Sequence, residues 1–390
     1  MHVFYSVSAA YAHSAELRLF EFFFRQKLPA DCVITPLIRP GDDGSAVIRE
    51  ALARTLAESG LQPYFLIVKE PSLFLGTQTV AVLQELLDTH PELDCVLPSD
   101  IRGHRTGHQA DYLTLSGFER FIHRLQDPNA PITPYDGRPP FLFLIRSEAL
   151  QRLDLPDDPF GVPALLKGRA AISLNAYVHP FFEYYTEQRA DLIPFVPPHV
   201  RNVLDIGCTR GGFGAALKTA RRCRVVGVEQ NAAEGAKARR VLDEVIIGDA
   251  LQVTIPGKFD CVTCLDTLEH FVEPARLLER IATEFLLPGG HLLLSVPNIG
   301  HWSVVEDLLA GRFDYLPVGL LCNTHLRFFT DRSLRRLLAE NGFTVQRIEG
   351  VRHPMPTSVG DGIETLAEQG MEIDLSSLET LNHIVLAVKV

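Results

Sequence analysis

The chain has 390 residues, 46% of them hydrophobic, and this length is more typical of two domains than of one. Its formal net charge is −11 and its basic residues do not cluster, which argues against nucleic acid as a partner because phosphate binding needs concentrated positive charge. We expect no signal peptide and no membrane span, and the seven scattered cysteines are typical of a reduced, cytoplasmic protein.

Short apolar strands alternate with helical stretches through residues 1–165, a pattern typical of an α/β domain. The continuous apolar run at residues 64–69 is typical of a strand inside a parallel sheet. The predicted strands cover residues 3–7, 32–38, 64–69, 94–98 and 141–146, and the predicted helices cover residues 15–26, 45–59, 77–89 and a segment that starts at Ser147.

The alternation weakens where prolines punctuate residues 156–198. We predict a linker and a lead-in helix over residues 166–199, with the helix near residues 182–192. A second clean alternation starts at Asn202, so residues 200–390 form the second predicted α/β domain.

A glycine-rich turn follows the first strand of this second domain. The strand ends at Ile206, and the turn runs from Gly207 to Gly211 before a helix begins. In this layout backbone N–H groups face a nucleotide-like cofactor, and glycines let the ligand approach. The next strand ends at Glu229, about twenty residues further on, where a carboxylate can hold two ribose hydroxyls. These features alone also fit a nicotinamide dinucleotide.

Further motifs follow at the ends of later strands. One strand ends at Asp249, which suits an adenine amino group. The next strand, residues 259–265, ends in Asp266-Thr-Leu-Glu-His270. The sequence Leu286-Leu-Pro-Gly-Gly290 then precedes a strand at residues 291–296.

Taken in this order, the motifs resemble those of the class I S-adenosylmethionine-dependent methyltransferases over residues 180–390. The resemblance is closest to the subgroup with Leu-Glu-His after the fourth strand and Leu-x-Pro-Gly-Gly before the fifth, which includes enzymes of the ubiquinone-biosynthesis type. It implies a seven-stranded, Rossmann-like sheet whose last strand, residues 382–389, lies antiparallel between the fifth and the sixth, residues 344–349. It favours S-adenosylmethionine over a nicotinamide cofactor, which would leave Asp249 and the Leu-Glu-His motif without a role.

The resemblance also implies a role for each residue near the cofactor. Glu229 would hold the ribose hydroxyls, and Arg189 would pair with the carboxylate of the methionine part unless it lies on a solvated helix face. Thr209 stands where the family often has glycine. The other implied cofactor-binding residues are Asp205, Gly207, Cys208 and Gly211 on the methionine and ribose side, Gln230, Asp249 and Ala250 around the adenine, and Leu265 and Asp266 beside the sulfonium.

Three histidines are candidates for the catalytic base. Methyl transfer to a hydroxyl benefits from a group that removes the proton, and a neutral imidazole suits that role near pH 7. His270 follows the fourth strand, His301 follows the fifth, and His325 lies in a segment expected over the acceptor side. Each could instead brace the structure around it. Trp302 could shape an acceptor pocket.

The sequence predicts no metal site. Cys261 and Cys264 have the spacing of a metal or redox pair, but they lie in a predicted buried strand without a second ligand pair. His104, His108 and Asp111 are ligand-type residues at helical spacing, and no further element supports a metal site there.

The first domain weakly resembles the nucleotide-sugar transferases of the GT-A type in segments 83–98 and 140–150. The Asp-x-Asp metal motif of that family is absent, because the equivalent turn reads Val68-Lys-Glu-Pro-Ser-Leu73. We therefore expect a domain that binds the acceptor or mediates homo-oligomerisation, rather than metal-dependent glycosyl transfer.

Together these features predict O-methylation of a glycan, a sugar-linked molecule or another small-molecule acceptor. The alternative is a non-catalytic scaffold that retains the cofactor while the first domain recognises a partner.

Overall fold

The computed structural model of the chain describes residues 1–8, 21, 24–39, 45–58, 62–69, 73–76, 78–100, 113–125, 132–180, 188–316 and 319–390. The chain divides into two compact units, Met1–Phe182 and Glu183–Val390. Each unit is built on one β-sheet.

Within the described part of the first unit, eight strands form a mixed sheet. They are β1 (His2–Ser8), β2 (Val33–Arg39), β3 (Tyr64–Val68), β4 (Leu73–Leu75), β5 (Cys95–Asp100), β6 (Ile132–Pro134), β7 (Leu142–Arg146) and β8 (Ala170–Pro180). Their order is β2-β1-β3-β7-β5-β8-β4, and β6 pairs with β8. β1 is parallel to β2 and β3, whereas β7 is antiparallel to both β3 and β5.

Both faces of this first sheet are buried. Alternate residues of β1 point to opposite faces, so Val3 and Tyr5 share one core cluster with Leu83, while Phe4 shares another with Leu52. This explains the continuous apolar runs in the sequence. The helices described in this unit are Ser45–Glu58, Thr79–Thr89, Leu115–Leu125, Ser147–Arg152 and Val162–Leu165.

One strand of the first sheet lies where the sequence pattern indicated a linker. β8 pairs with β5, and the register shifts near Ser173. Ser173 is buried, and its hydroxyl accepts the N–H groups of Asn175 and Ala176, so polar residues interrupt the apolar pattern of the strand. Of the predicted lead-in helix near residues 182–192, residues 182–187 lie outside the described residues, and Ala190–Phe195 form a 3₁₀ helix.

Seven strands form the sheet of the second unit. They are β9 (Asn202–Ile206), β10 (Arg224–Glu229), β11 (Glu244–Ile247), β12 (Phe259–Leu265), β13 (Leu286–Pro297), β14 (Phe343–Arg352) and β15 (Thr380–Lys389). Their order is β11-β10-β9-β12-β13-β15-β14. β15 is antiparallel to both of its neighbours, and the other pairs are parallel. The predicted Rossmann-like sheet and the position of its last strand are confirmed.

Helices pack on both faces of the second sheet. Leu204 of β9 shares a core cluster with Leu278 and Leu334, whereas the adjacent Val203 shares another with Leu217. Among the described residues, every helix falls short of the length and apolarity that a membrane crossing requires. The helices of this unit are Gly212–Ala220, Ala232–Ala238, Pro274–Arg280, Trp302–Leu309, Asp331–Glu340, Thr357–Glu368 and Leu375–Leu378.

Helix Asp331–Glu340 has a recognisable sequence signal at each end. Thr330 and Ser333 form a reciprocal capping box at its start. Gly342, just beyond its end, has a φ of 80°, a conformation that favours glycine. Local sequence signals therefore fix both ends of this helix.

The packing predicts different costs for two leucine truncations. Leu278→Ala removes a fully buried side chain and should lower the free energy of unfolding by about 2–5 kcal/mol. Leu309→Ala changes a side chain that is 71% exposed and should alter it by less than about 0.5 kcal/mol. Urea unfolding followed by the fluorescence of Trp302, the single tryptophan of the chain, measures both values. Equal effects of the two changes would contradict the packing described.

Candidate functional site

The second sheet has a topological switch point beside β9. The chain builds from β9 outward to β10 and β11, and then places β12 on the other side of β9. These four strands are parallel, so their carboxyl ends meet at one edge of the sheet. Open α/β sheets bind ligands in the crevice at such a point. The candidates Asp205, Glu229, Asp249 and Asp266 lie at or near these strand ends.

A sharp turn joins β9 to the helix that follows it. Gly207 and Gly211 have φ angles of 75° and 79°, which favour glycine. A Cβ at Gly207 would lie 2.5 Å from Oγ1 of Thr267, so the turn packs closely against the residues after β12. Thr209 has a φ of 47°, a strained conformation for a β-branched residue. Contacts around the turn must therefore hold it in this shape.

The carboxylate of Glu229 is fixed by two backbone N–H groups. Thr209 N–H donates to Oε2 at 2.9 Å, and Asn231 N–H donates to Oε1 at 2.7 Å. A carboxylate offers about four acceptor positions, so it can serve the backbone and a diol together. Glu229 is buried, which strengthens these hydrogen bonds.

Asp205 lies one strand away, deep in the same edge. Its Oδ1 accepts the Thr263 hydroxyl at 2.6 Å. Burial raises the pKa of Asp205 to about 7; the Thr263 hydrogen bond opposes this rise and the charge of Glu229 adds to it. Cys208 is also buried. Its sulfur packs against Gly227, because a Cβ added to that glycine would lie 2.5 Å from the sulfur. Only the backbone of Cys208 is therefore suited to contact a ligand.

Three candidates lie around the ends of β10 and β11. Gln230 is exposed, and Ala250 is buried. The carboxylate of Asp249 accepts Leu251 N–H at 2.9 Å and the side-chain amide of Gln252 at 2.9 Å. These bonds fix the direction of the Asp249 carboxylate in the turn after β11.

Asp266 gathers donors from three parts of the second unit. Ser295 Oγ donates to Oδ1 at 2.7 Å, and Asn382 Nδ2 donates to the same oxygen at 2.9 Å. The guanidinium of Arg189 pairs with Oδ2. Arg189 thus binds a carboxylate of the chain itself. Leu265, at the end of β12, is half-buried.

His270, four residues after Asp266 in the chain, lies side by side with His325. Their ring centroids are 4.9 Å apart, in an edge-to-face arrangement. His270 Nδ1 lies 3.0 Å from the carbonyl oxygen of Thr324, and His325 Nδ1 lies 3.1 Å from that of Leu320. An Nδ1–H that donates to a carbonyl leaves Nε2 as the proton acceptor. Both rings are therefore oriented to accept a proton at Nε2.

A buried carboxylic acid completes this cluster. Glu269 is 1% exposed, and its oxygens lack a hydrogen-bond partner among the described residues. Burial raises the pKa of Glu269 well above its usual range and lowers that of His325 to about 4. Ligand-type atoms of Glu269, His270 and His325 lie within 4.8 Å of one another, close enough for one metal ion. No motif in the sequence predicts this grouping.

His301 lies apart from that pair, in a structural position. It is completely buried at the start of helix Trp302–Leu309, and its Nδ1 accepts Ser303 N–H at 3.2 Å as the helix cap. Burial lowers the pKa of His301 to about 3, and the nearby His353 adds to the effect. This geometry favours a neutral, capping imidazole over a base. Trp302 is buried beside Ile363, so it contributes to a core cluster.

The structure describes the cysteine pair but not the three ligand-type residues of the first domain. Cys261 and Cys264 are free thiols buried within β12. His104, His108 and Asp111 lie outside the described residues.

Comparison with known proteins identifies the family of the second unit. Residues 177–348 match the methyltransferase domain family. The chain is 33% identical over 188 residues to the ubiquinone biosynthesis O-methyltransferase of Pseudomonas aeruginosa strain UCBPP-PA14, a match that covers 45% of this chain and 76% of that protein. The chain belongs to the S-adenosylmethionine-dependent methyltransferases.

Two further proteins resemble this methyltransferase. The ubiquinone biosynthesis O-methyltransferase of Burkholderia pseudomallei strain 1710b is 29% identical over 166 residues, covering 40% of this chain and 70% of that protein. A solved S-adenosylmethionine-dependent methyltransferase from Archaeoglobus fulgidus is 20% identical, with a TM-score of 0.39 over 53% of this chain and 98% of that one.

The cofactor of this methyltransferase is S-adenosylmethionine, and the residues of the switch point fit it. Gly207 and Gly211 shape a turn whose backbone can approach a ligand closely. Glu229 presents a carboxylate suited to a diol.

Several residues of the site carry no recognisable signal in the sequence. Ser295 and Asn382 lie within long apolar strands, and only the paired sheet shows that both reach Asp266. Glu269 was visible inside the Leu-Glu-His motif. Its burial beside His325 depends on a segment more than 50 residues later in the chain, which no local pattern reveals.

The neutral state of His301 predicts a pH dependence of stability. Its folded pKa of about 3 lies below the ordinary 6.5, so below pH 6.5 the unfolded chain takes up a proton that the folded chain does not. This residue should therefore remove about 2 kcal/mol of stability between pH 8 and pH 5.

The variant His301→Asn tests this expectation, since asparagine can cap the helix but does not titrate. Urea unfolding at pH 8 and pH 5, followed by Trp302 fluorescence, should show a smaller loss of stability on acidification in the variant. An identical loss in both proteins would contradict the assignment.

Proposed function

We propose that this methyltransferase transfers the methyl group of S-adenosylmethionine to a hydroxyl group of a small-molecule acceptor. The observation that carries the proposal is the pairing of His270 with His325 in the segment directly after β12, at the sheet edge where β10 ends at Glu229. Both relatives described above are named O-methyltransferases, which supports oxygen as the acceptor atom.

The cofactor would lie along the ends of β9 to β12. Glu229 would accept the ribose hydroxyls, and the turn after β9 would contact the methionine side through Asp205 and the backbone of Gly207, Cys208 and Gly211. Gln230, Asp249 and Ala250 would surround the adenine, and Leu265 and Asp266 would lie near the sulfonium. Arg189 would have to exchange its contact with Asp266 to reach the cofactor carboxylate.

The bound cofactor supplies a methyl group on a positively charged sulfur, which needs no further activation. The chain has to align the acceptor oxygen and take up its proton. We assign the proton to Nε2 of His270, because Nδ1 is held by the Thr324 carbonyl and His270 is only half-buried. His325 would orient the first imidazole from its edge. His301 is disfavoured by its complete burial.

Aromatic side chains near His325 suit an acceptor with a ring. The rings of Phe328 and His325 have centroids 6.4 Å apart, and Phe313 lies edge-to-face with both Phe328 and Tyr315. Phe313 and Tyr315 are more than 40% exposed. Either a phenol or a sugar can stack on such a surface. We retain a glycan or sugar-linked acceptor as one class, and the first unit as its recognition or self-association domain in the cytoplasm.

The role of Glu229 predicts a loss of cofactor affinity on neutralisation. Glu229→Gln should weaken S-adenosylmethionine binding by about 10- to 100-fold, because hydrogen bonds to a charged group are lost. Glu244→Gln is the matched control, since Glu244 is an acid on the neighbouring β11 whose partner is Arg224. Calorimetric titration measures both. Unchanged binding in Glu229→Gln would overturn its assignment.

The role of His270 predicts a loss of turnover without a loss of cofactor. His270→Ala should lower kcat by about 10²- to 10⁴-fold and leave the cofactor dissociation constant unchanged. His199→Ala, at an exposed histidine, is the control. Transfer of tritium from labelled cofactor into phenolic and sugar-containing metabolite pools measures turnover and separates the two acceptor classes.

Two outcomes would contradict this proposal. Loss of activity after dialysis against a chelator, restored by a divalent cation, would replace the imidazole base with a metal at Glu269, His270 and His325. Cofactor binding without a labelled product in any pool would favour the scaffold alternative.

A further inference from the structure

A partly buried ion pair joins the glycine-rich turn to the helix after β10. The guanidinium of Arg210 contacts both carboxylate oxygens of Glu234, and Nη2 lies 3.3 Å from Oε1. The Glu234 side chain is 1% exposed and that of Arg210 is 31% exposed. Lys237 also donates to Glu234, at 3.0 Å. A carboxylate this deeply buried needs such partners, because loss of one partner would leave an uncompensated charge.

The same helix packs directly against Glu229. A Cβ on Gly235 would lie 3.3 Å from Cβ of Glu229, and 2.2 Å from Cδ1 of Ile247. Asn231, which donates its N–H to Glu229, also caps this helix by accepting the N–H groups of Ala233 and Glu234. The helix position therefore sets the position of the Glu229 carboxylate.

Two adjacent residues of the turn contact the end of β10 and this helix. Thr209 binds Glu229 through its N–H group, and Arg210 binds Glu234 through its side chain. Thr209 has an unfavourable positive φ. An unfavourable conformation persists only where surrounding contacts impose it. The ion pair next to Thr209 is one such contact, and it lies outside the residues that the cofactor would touch.

We propose that the Arg210–Glu234 ion pair is a positioning device for the cofactor: it holds the turn at Thr209 and the Glu229 carboxylate in the geometry that binds the ribose diol. Arg210 and Glu234 act through Glu229, so they are positioning residues. This inference rests on the proposed role of Glu229.

The proposal predicts a loss of affinity that depends on the ribose hydroxyls. Arg210→Met keeps much of the side-chain length but removes the charge and the hydrogen bonds. This substitution should weaken binding of S-adenosylhomocysteine by about tenfold. Interaction energies between residues of one hydrogen-bond and ion-pair network are commonly large enough for such an effect. The 2′-deoxyribose analogue, which cannot use the full diol contact, should lose less than about twofold. Glu234→Gln should repeat this pattern.

Lys218→Met provides a matched control. Lys218 lies on the helix that follows the turn, and its side chain has a similar exposure of 29%. It forms an ion pair with Asp243, at 2.9 Å. We expect the Lys218→Met variant to bind both ligands with the affinity of the unsubstituted protein. Arg210→Met should raise KM for the cofactor with little change in kcat, whereas general damage to the fold would lower kcat as well.

Calorimetric titration of the full chain with the two ligands gives the result. Equal losses for both ligands in Arg210→Met, or no loss for either, would overturn the positioning role. If Glu229→Gln binds both ligands normally, the proposed role of Glu229 fails instead. If Glu229→Gln weakens binding and Arg210→Met does not, only the inference about the ion pair fails.

Discussion

Two backbone N–H groups from separate loops share the carboxylate of Glu229, and the geometry of the edge depends on this shared contact. Thr209 belongs to the turn after β9, and Asn231 follows β10. A buried carboxylate without such donors would be costly, and the donors would themselves lack acceptors. The sequence must therefore satisfy both loops at once. Glycine at 235 is part of that solution, because it lets a helix approach the side chain.

The carboxyl groups at this edge differ in how strongly burial raises their pKa and so favours the neutral form. Burial raises the pKa of Asp205 to about 7 and that of Glu269 well above its ordinary range. A bound cation would shift such groups back toward the charged form. S-adenosylmethionine carries a positive sulfur that is neutral after methyl transfer. With the cofactor placed as proposed, its positive sulfur would favour the ionised form of these carboxyl groups before methyl transfer, and the neutral product would not.

The sequence was sufficient for the elements of the second unit because its signals are local. Strand ends at Glu229 and Asp249, glycines in the turn and the capping residues at Thr330 are each read within a few positions. Contacts that join distant segments were not predictable. Asn382 reaches Asp266 from the last strand, and His325 faces Glu269 from a later loop. In the first unit, β8 was not predicted because polar residues interrupt its apolar pattern near Ser173. Its pairing with β5, where the register shifts, also joins segments that are distant in the sequence.

The position of β15 has a consequence for how the protein acquires its site during synthesis. β15 lies between β13 and β14, although its residues come after both in the chain. Until it has left the ribosome, β13 has an unpaired edge and Asp266 lacks the amide of Asn382. Such a half-built sheet exposes a template for wrong strand pairing. The residues at the carboxyl ends of β9 to β12 should thus be among the last to become resistant to proteases. This holds even though the turn after β9 is synthesised much earlier.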